Sequence, residues 1–308
     1  MQIRHKITGA ILWEGAQVSA SGFRGANFED ADFQESKLGP VDFSYAKMGR
    51  ARLAGCNLYG SWGSKFYEAD LTGADFTGAC LTCASFYCAN ARGACFLRAY
   101  ASGAEFYRTC LAEADLRGAT LHDASLKGAD LTGSNLSRAV LMGANLADAR
   151  LDGAIFDSAI CDSKTHPIPT GAIVLEPGAN LSGVNLTGYP GLPRADLTGA
   201  DLQGANLQGV RFSPPWDFSG ANMNGANLRG CMLENSSIEG ASIAGADFCG
   251  ADLRFVEGLY PSILVKARWD AKTKWPDWFL EYHMPKIASP RGGAEAPKKG
   301  KRWWQIFS

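Results

Sequence analysis

The sequence predicts an all-β solenoid: short strands wound into a tube around a solid apolar lumen, capped at both ends. Three observations carry the prediction. A large apolar residue returns every five positions through most of the 308 residues, a small residue stands two places before it, and Phe recurs with a period of ten. A period of five fits neither the 3.6 of a helix nor the 2.0 of a flat strand. A fixed short period is the mark of stacked repeats.

The large residue, here called the centre, is clearest from Phe66 through Leu71, Phe76, Leu81, Phe86, Phe96, Phe106 and Leu111 to Leu151 and Phe156. An earlier block runs on Val18, Phe23, Phe28, Phe33, Leu38, Phe43, Met48, Leu53 and Leu58. Later blocks run from Leu181 to Phe212 and from Phe218 to Leu253. Ala fills the small slot almost throughout, relieved only by residues such as Ser64, Thr109 and Ser134. One bulky and one small inward residue per unit fill a narrow tube without voids. The period of ten in Phe fits a coil of four units, the number that the family resemblance given below implies: Phe66, Phe86 and Phe106 then stack on one side and Phe76 and Phe96 on the opposite one, while Ala91 and Ala101 compensate for the ring volume. Each inward Leu or Phe contributes about 1.5–3 kcal/mol, so such a tube is stable without disulfides.

Units such as Ala129-Asp130-Leu131-Thr132-Gly133 and Ala144-Asn145-Leu146 resemble the A-[DN]-[LF]-x-x pattern of the pentapeptide-repeat family, over roughly residues 16–258. The resemblance implies a right-handed quadrilateral parallel β-helix, one unit per side and four per coil. Residues 1–15, with Ile7, Ile11 and Leu12 about a Thr8-Gly9 turn, read as an N-terminal cap. Residues 259–284, with Trp269, Trp275 and Trp278, read as an aromatic C-terminal cap, and 285–308 as a basic, aromatic tail. A solenoid needs such ends to avoid edge-to-edge growth. The Ala267-to-Pro276 stretch resembles a closing segment that follows many such arrays.

The frame shifts at Ser61-Trp62-Gly63, Gly188-Tyr189-Pro190 and Pro214-Pro215-Trp216, where insertions are expected to bulge at corners. The last two are expected to combine Tyr189 and Trp216 in one exposed knob. Residues 162–178 contain no good repeat and read as a partly protruding loop, the alternative being a degenerate coil.

Catalysis finds little support. His5, His122, His166 and His283 have no Ser or Cys placed beside them by the repeat geometry, and no Gly-rich phosphate loop precedes a helix. The recurrent Asp interchanges with Asn before the centre, which points to a backbone hydrogen-bonding or solvated role. Cys80, Cys83, Cys88 and Cys95 are spread over three sides and cannot converge on one metal ion, whereas Cys56 and Cys231 occupy the small slot. No cofactor or metal is expected. The absence of a signal peptide or transmembrane stretch and the unpaired thiols point to the cytoplasm.

Interaction surfaces are more promising. Tyr67, Tyr87 and Tyr107 each follow a centre at intervals of twenty, forming an outward ladder with Arg108 beside it and Trp62 near its start. Two readings stand: an aromatic docking strip for a protein partner, or cross-strand stacking that stiffens the tube. Residues 1–258 carry 27 acidic and 20 basic side chains; residues 259–308 carry 4 and 10. The tail, with Lys301, Arg302, Trp303 and Trp304, suits a membrane surface or a nucleic-acid backbone, and the aromatic end offers a way to pair two copies as a homodimer. The family resemblance adds DNA gyrase or topoisomerase IV as partners, bound by imitation of duplex DNA. Duplex DNA carries one charge per ~1.7 Å, so an array of about 55 Å needs roughly thirty net negative charges to imitate it. The array's excess of acidic residues is far smaller.

Overall fold

The computed structural model describes residues 2–14, 22–59, 63–189, 192–212, 215–264, 266–277 and 279, leaving out the side chains of residues 13, 14 and 261. The sequence pattern reads as one array; the chain divides instead into two compact units, Met1–Val174 and Leu175–Ser308.

Each five-residue unit is a bridge followed by a turn. Leu71 N–H donates to Asn90 O at 2.7 Å and Asn90 N–H to Ala69 O at 2.9 Å, which ties one coil to the next. Ala74 N–H then donates to Leu71 O at 2.9 Å and closes a β-turn. Its third residue, Gly73, has φ 63°, the left-handed value that a type II turn requires and Gly adopts without strain. Where that corner carries a side chain, the chain lies along the wall toward the next coil. A Cβ added at Gly118 stands 3.5 Å from Arg98 Cγ, and one at Gly143 would collide with Asp123 Oδ1.

In the first unit parallel bridges follow the twenty-residue coil, as in Asn90↔Cys110↔Asp130↔Arg150, with one such column on each of four sides. The step Asp42↔Lys65 is longer and absorbs the first insertion. The described centres of this unit pack into the lumen, Leu38 and Leu151 only partly buried and Leu116 and Leu136 without exposure. The Phe columns stack as expected: Phe66–Phe86 and Phe86–Phe106 at 4.7 Å, Phe76–Phe96 at 4.9 Å, within 5° of parallel. The strand spacing imposes this distance, and the two columns meet edge to face at 5.7–5.8 Å.

The N-terminal cap is a hairpin, β1 (Gln2–His5) antiparallel to β2 (Ile11–Glu14), with β1 also antiparallel to β3 (Ala31–Asp32) in the first coils. Ile3 supplies its buried contact, while Ile7, Ile11 and Leu12 remain exposed.

Through residue 166 the irregular stretch keeps to the coil rather than protruding as a loop. Thr165 is buried in the small slot, and His166 bridges Asn145. β4 (Ile160–Cys161) then pairs in parallel with β5 (Ile173–Val174), only thirteen residues on.

The second unit repeats the bridge pattern, as in Asn185↔Asn206↔Asn227↔Asp247. Its last elements among the described residues are a one-turn helix, α1 (Pro261–Leu264), and two bridges, Asp247↔Arg268 and Asp252↔Lys274. Trp269 and Trp275 are buried edge to face at 5.6 Å, and Trp275 stacks on Phe279 at 5.1 Å. This is the aromatic plug expected from the sequence; Trp278 and residues 280–308 lie outside the described residues.

Candidate functional site

The solid lumen leaves the walls as the place for function. One residue after each Phe of the first column, the chain turns outward, and there the structure places a continuous aromatic column. Tyr67–Tyr87 and Tyr87–Tyr107 stack at 5.2 Å, tilted by 13° and 20°. Tyr45 extends the column, edge to face with Tyr67 at 5.2 Å. The Arg24 guanidinium lies 4.6 Å from the Tyr45 ring centroid and that of Arg108 lies 5.2 Å from Tyr107, so a cation sits over each end. Stacking occupies most ring faces, leaving edges and hydroxyls for a partner. Tyr67 keeps its proton to high pH: hydrogen bonding to Glu68, then burial, then the Glu68 charge push it up to about 12.

Tyr45 was not legible from the twenty-residue spacing. The insertion displaces it to 22 residues before Tyr67, and it follows Phe43 by two positions rather than one. It takes the left-handed corner (φ 62°), and its N–H donates to Tyr67 O at 2.8 Å.

The other expected surface residues fare differently. Trp62 and the tail residues Lys301, Arg302, Trp303 and Trp304 lie outside the described residues, as do Pro190 and Pro214. Tyr189 is half-buried. Trp216 corrects the expectation of an exposed knob. It is 1% exposed, packed at 4.9 Å from Phe212 and 5.9 Å from Phe218. It fills the small slot two positions before Phe218, so the extra residue of this insertion precedes it. A side chain in that slot has nowhere to point but inward. The sequence also offered a column that went unnoticed: Thr120, Val140 and Ile160 replace Asp or Asn at successive bridge positions of one side, and all three are buried.

The recurrent Asp and Asn have a structural task. Asp130 Oδ1 accepts Thr132 N–H at 3.0 Å, Asn206 Oδ1 accepts Gln208 N–H at 3.3 Å, and the same Asx turn recurs around both units. Asp130 and Asp196 are held below the usual carboxylate range, chiefly by hydrogen bonds from Thr132 and Thr198. Many carboxylates are also neutralised by a cation. Asp30 faces Lys6 and Arg50, Asp32 faces Arg52, Asp130 faces Arg150, Asp247 faces Arg229, and Asp252 faces Arg254 and Lys274.

Cys56 and Cys231 lie inward as expected, donating to Phe33 O and Leu207 O at 2.7 and 2.8 Å. Burial pushes both thiols up to about 12, which makes them poor nucleophiles. His122 Nδ1 stands 2.9 Å from Met142 O and its Nε2 3.0 Å from Asp123. Among the described residues, no three His, Cys, Asp or Glu side chains are grouped to hold a metal.

The sequence model described as "Pentapeptide repeats" matches eight copies, over residues 62–82, 84–123, 119–157, 192–213 and 217–254. No curated protein matches the chain. Among solved structures, HetL, a pentapeptide-repeat protein involved in heterocyst differentiation regulation in Nostoc sp. strain PCC 7120, is 29% identical. The match covers 75% of this chain and 87% of HetL, with a TM-score of 0.21. The pentapeptide-repeat protein alr5209 of the same cyanobacterium is 30% identical over 36% of this chain and 84% of its own, with a TM-score of 0.24. QnrB1, a plasmid-mediated fluoroquinolone resistance protein, is 16% identical over 89% of this chain and 94% of its own, with a TM-score of 0.25.

Proposed function

The chain belongs to the pentapeptide-repeat family, and from that premise we propose that it is a non-enzymatic scaffold that docks a protein partner along its tyrosine column. The observation that carries the proposal is the run Tyr45, Tyr67, Tyr87 and Tyr107 on one wall, with Arg24 and Arg108 over its ends. Tyr and Arg are the residue types that dominate binding hot spots, and stacked rings are already ordered, so little entropy is lost when a partner arrives. The right-handed sense of winding is the family's, and we adopt it for both units. A cytoplasmic setting suits nine free cysteines, three of them buried.

Imitation of duplex DNA is the weaker reading. It needs bare carboxylates in a row, and here Asp30, Asp32, Asp130, Asp247 and Asp252 each face a cation. Gyrase supercoiling with the protein at micromolar concentration tests it, and the docking proposal expects no effect. Membrane attachment through the tail is tested by liposome flotation of the whole chain against one ending at Pro290; equal flotation eliminates it. The docking proposal itself is tested by affinity capture from the native host with wild type and with Tyr67, Tyr87 and Tyr107 all changed to Ser. A protein retained by wild type and lost by the variant supports it, and equal retention rejects it.

A further inference from the structure

Each unit carries the same short sequence motif in one of its last described coils. Asp162-Ser163-Lys164-Thr165 in the first is matched by Asp270-Ala271-Lys272-Thr273 in the second. Their hydrogen bonds coincide one for one. Asp162 Oδ1 accepts the N–H groups of Gly143, Lys164 and Thr165 at 2.8, 3.1 and 3.0 Å. Asp270 Oδ1 accepts those of Gly250, Lys272 and Thr273 at 2.9, 3.0 and 3.1 Å. The Thr165 hydroxyl accepts Asp162 N–H at 3.2 Å and donates to Leu141 O at 2.8 Å. The Thr273 hydroxyl accepts Asp270 N–H at 3.1 Å and donates to Phe248 O at 3.0 Å.

What this bracket replaces is visible one coil earlier. On the side of Gly143, the corner N–H of Gly103 donates to His122 O and that of Asp123 to Met142 O, each a backbone carbonyl of the next coil. On the side of Gly250, Gly209 donates to Arg229 O and Gly230 to Cys249 O. At Gly143 and Gly250 the acceptor is a carboxylate oxygen instead. An Asp side chain thus satisfies the corner N–H where the backbone leaves the regular path, and a buried Thr ties the departing strand to the coil beneath. An N–H left without that acceptor costs about 1–3 kcal/mol when buried.

We infer that this Asp-x-Lys-Thr bracket is a stop device, and that the chain carries it twice because it consists of two arrays in tandem, each closed and folded as its own cooperative block. Stacked coils draw stability from their nearest neighbours, so a block needs a last coil whose polar edge is satisfied locally. The tyrosine column, Tyr45 to Tyr107, lies wholly in the first block.

Native-state hydrogen exchange of the full chain, read by mass spectrometry at rising urea, tests this. In wild type, amides of residues 65–160 and of 197–253 should open in two separate events. Thr165→Val should speed exchange across residues 65–160 by about tenfold and leave 197–253 unchanged, and Thr273→Val should do the reverse. A single shared opening event in wild type overturns the inference. So does a variant that speeds both blocks equally, or neither. If a variant fails to fold, the wild-type experiment alone decides.

Discussion

The walls around Phe86 and around Leu207 share one backbone plan and differ in what they carry. In the first, phenyl rings fill the lumen in columns 4.7–4.9 Å apart and tyrosines stack outside. In the second, Leu202, Leu207 and Leu228 fill the lumen. Asn206 and Asn227 stand outside, linked by an amide hydrogen bond of 3.1 Å. The bridge and the corner turn are common to both, whereas the Asx hydrogen bond belongs to the second, where Asn206 Oδ1 accepts Gln208 N–H at 3.3 Å and the first has Ser85 before its centre. Fold therefore constrains the inward positions, and leaves the outward turn residues free to be tyrosine in one place and glutamine in another.

The strongest way to break the comparison is in the lumen. Phe86→Ala should cost about 3–5 kcal/mol and Leu202→Ala about 2–5, read from urea midpoints. Phe86 should be the more expensive, because it also gives up stacking on both neighbours worth about 0.5–1.5 kcal/mol per pair. Equal costs would mean that the ring columns add nothing beyond volume. At the corners, Gly204→Ala adds a Cβ with open space around it, and the left-handed φ alone should cost about 1–2 kcal/mol. Gly143→Ala must in addition displace the Asp123 carboxylate, so its loss should be the larger.

A smaller effect distinguishes the charged wall from the amide wall. Hydrogen bonds from Arg50 and Lys6 hold Asp30 down to about 2. A carboxylate depressed on folding stabilises the fold above its unfolded value near 3.8, and that contribution fades as pH falls toward 2. NMR titration should place Asp30 near 2 in wild type and higher in Arg50→Gln. The column Asn185, Asn206 and Asn227 has no charge to lose, so its Asx turns should persist unchanged over that pH range.

Much of this was readable from the chain, because steric period is a local property. Centres, small slots, the two Phe columns and inward Cys56 and Cys231 all follow from counting by five and twenty. Counting fails where the register slips. Tyr45 lies on the far side of an insertion, so its place in the tyrosine column appears only in three dimensions. Trp216 reads as part of a bulge because it lies at a frame shift, yet its position before Phe218 commits it to the lumen. Ile3 is buried in a strand whose neighbours Arg4 and His5 pair with Asp32 and Ala31, an antiparallel contact that no periodicity announces. The Asp162–Thr165 bracket sat in a stretch without repeats; only its likeness to Asp270–Thr273 marked it.

The central claim is that the tyrosine column exists to be touched by another protein, and one paired measurement addresses it most directly. Melting temperature and partner retention should be recorded together for wild type and for the variant with Tyr67, Tyr87 and Tyr107 replaced by Ser. The account predicts that retention is abolished while melting falls by only a few degrees, as lost stacking of about 0.5–1.5 kcal/mol per pair implies. Retention that persists while melting falls by tens of degrees would contradict it and make the column a stiffening rib.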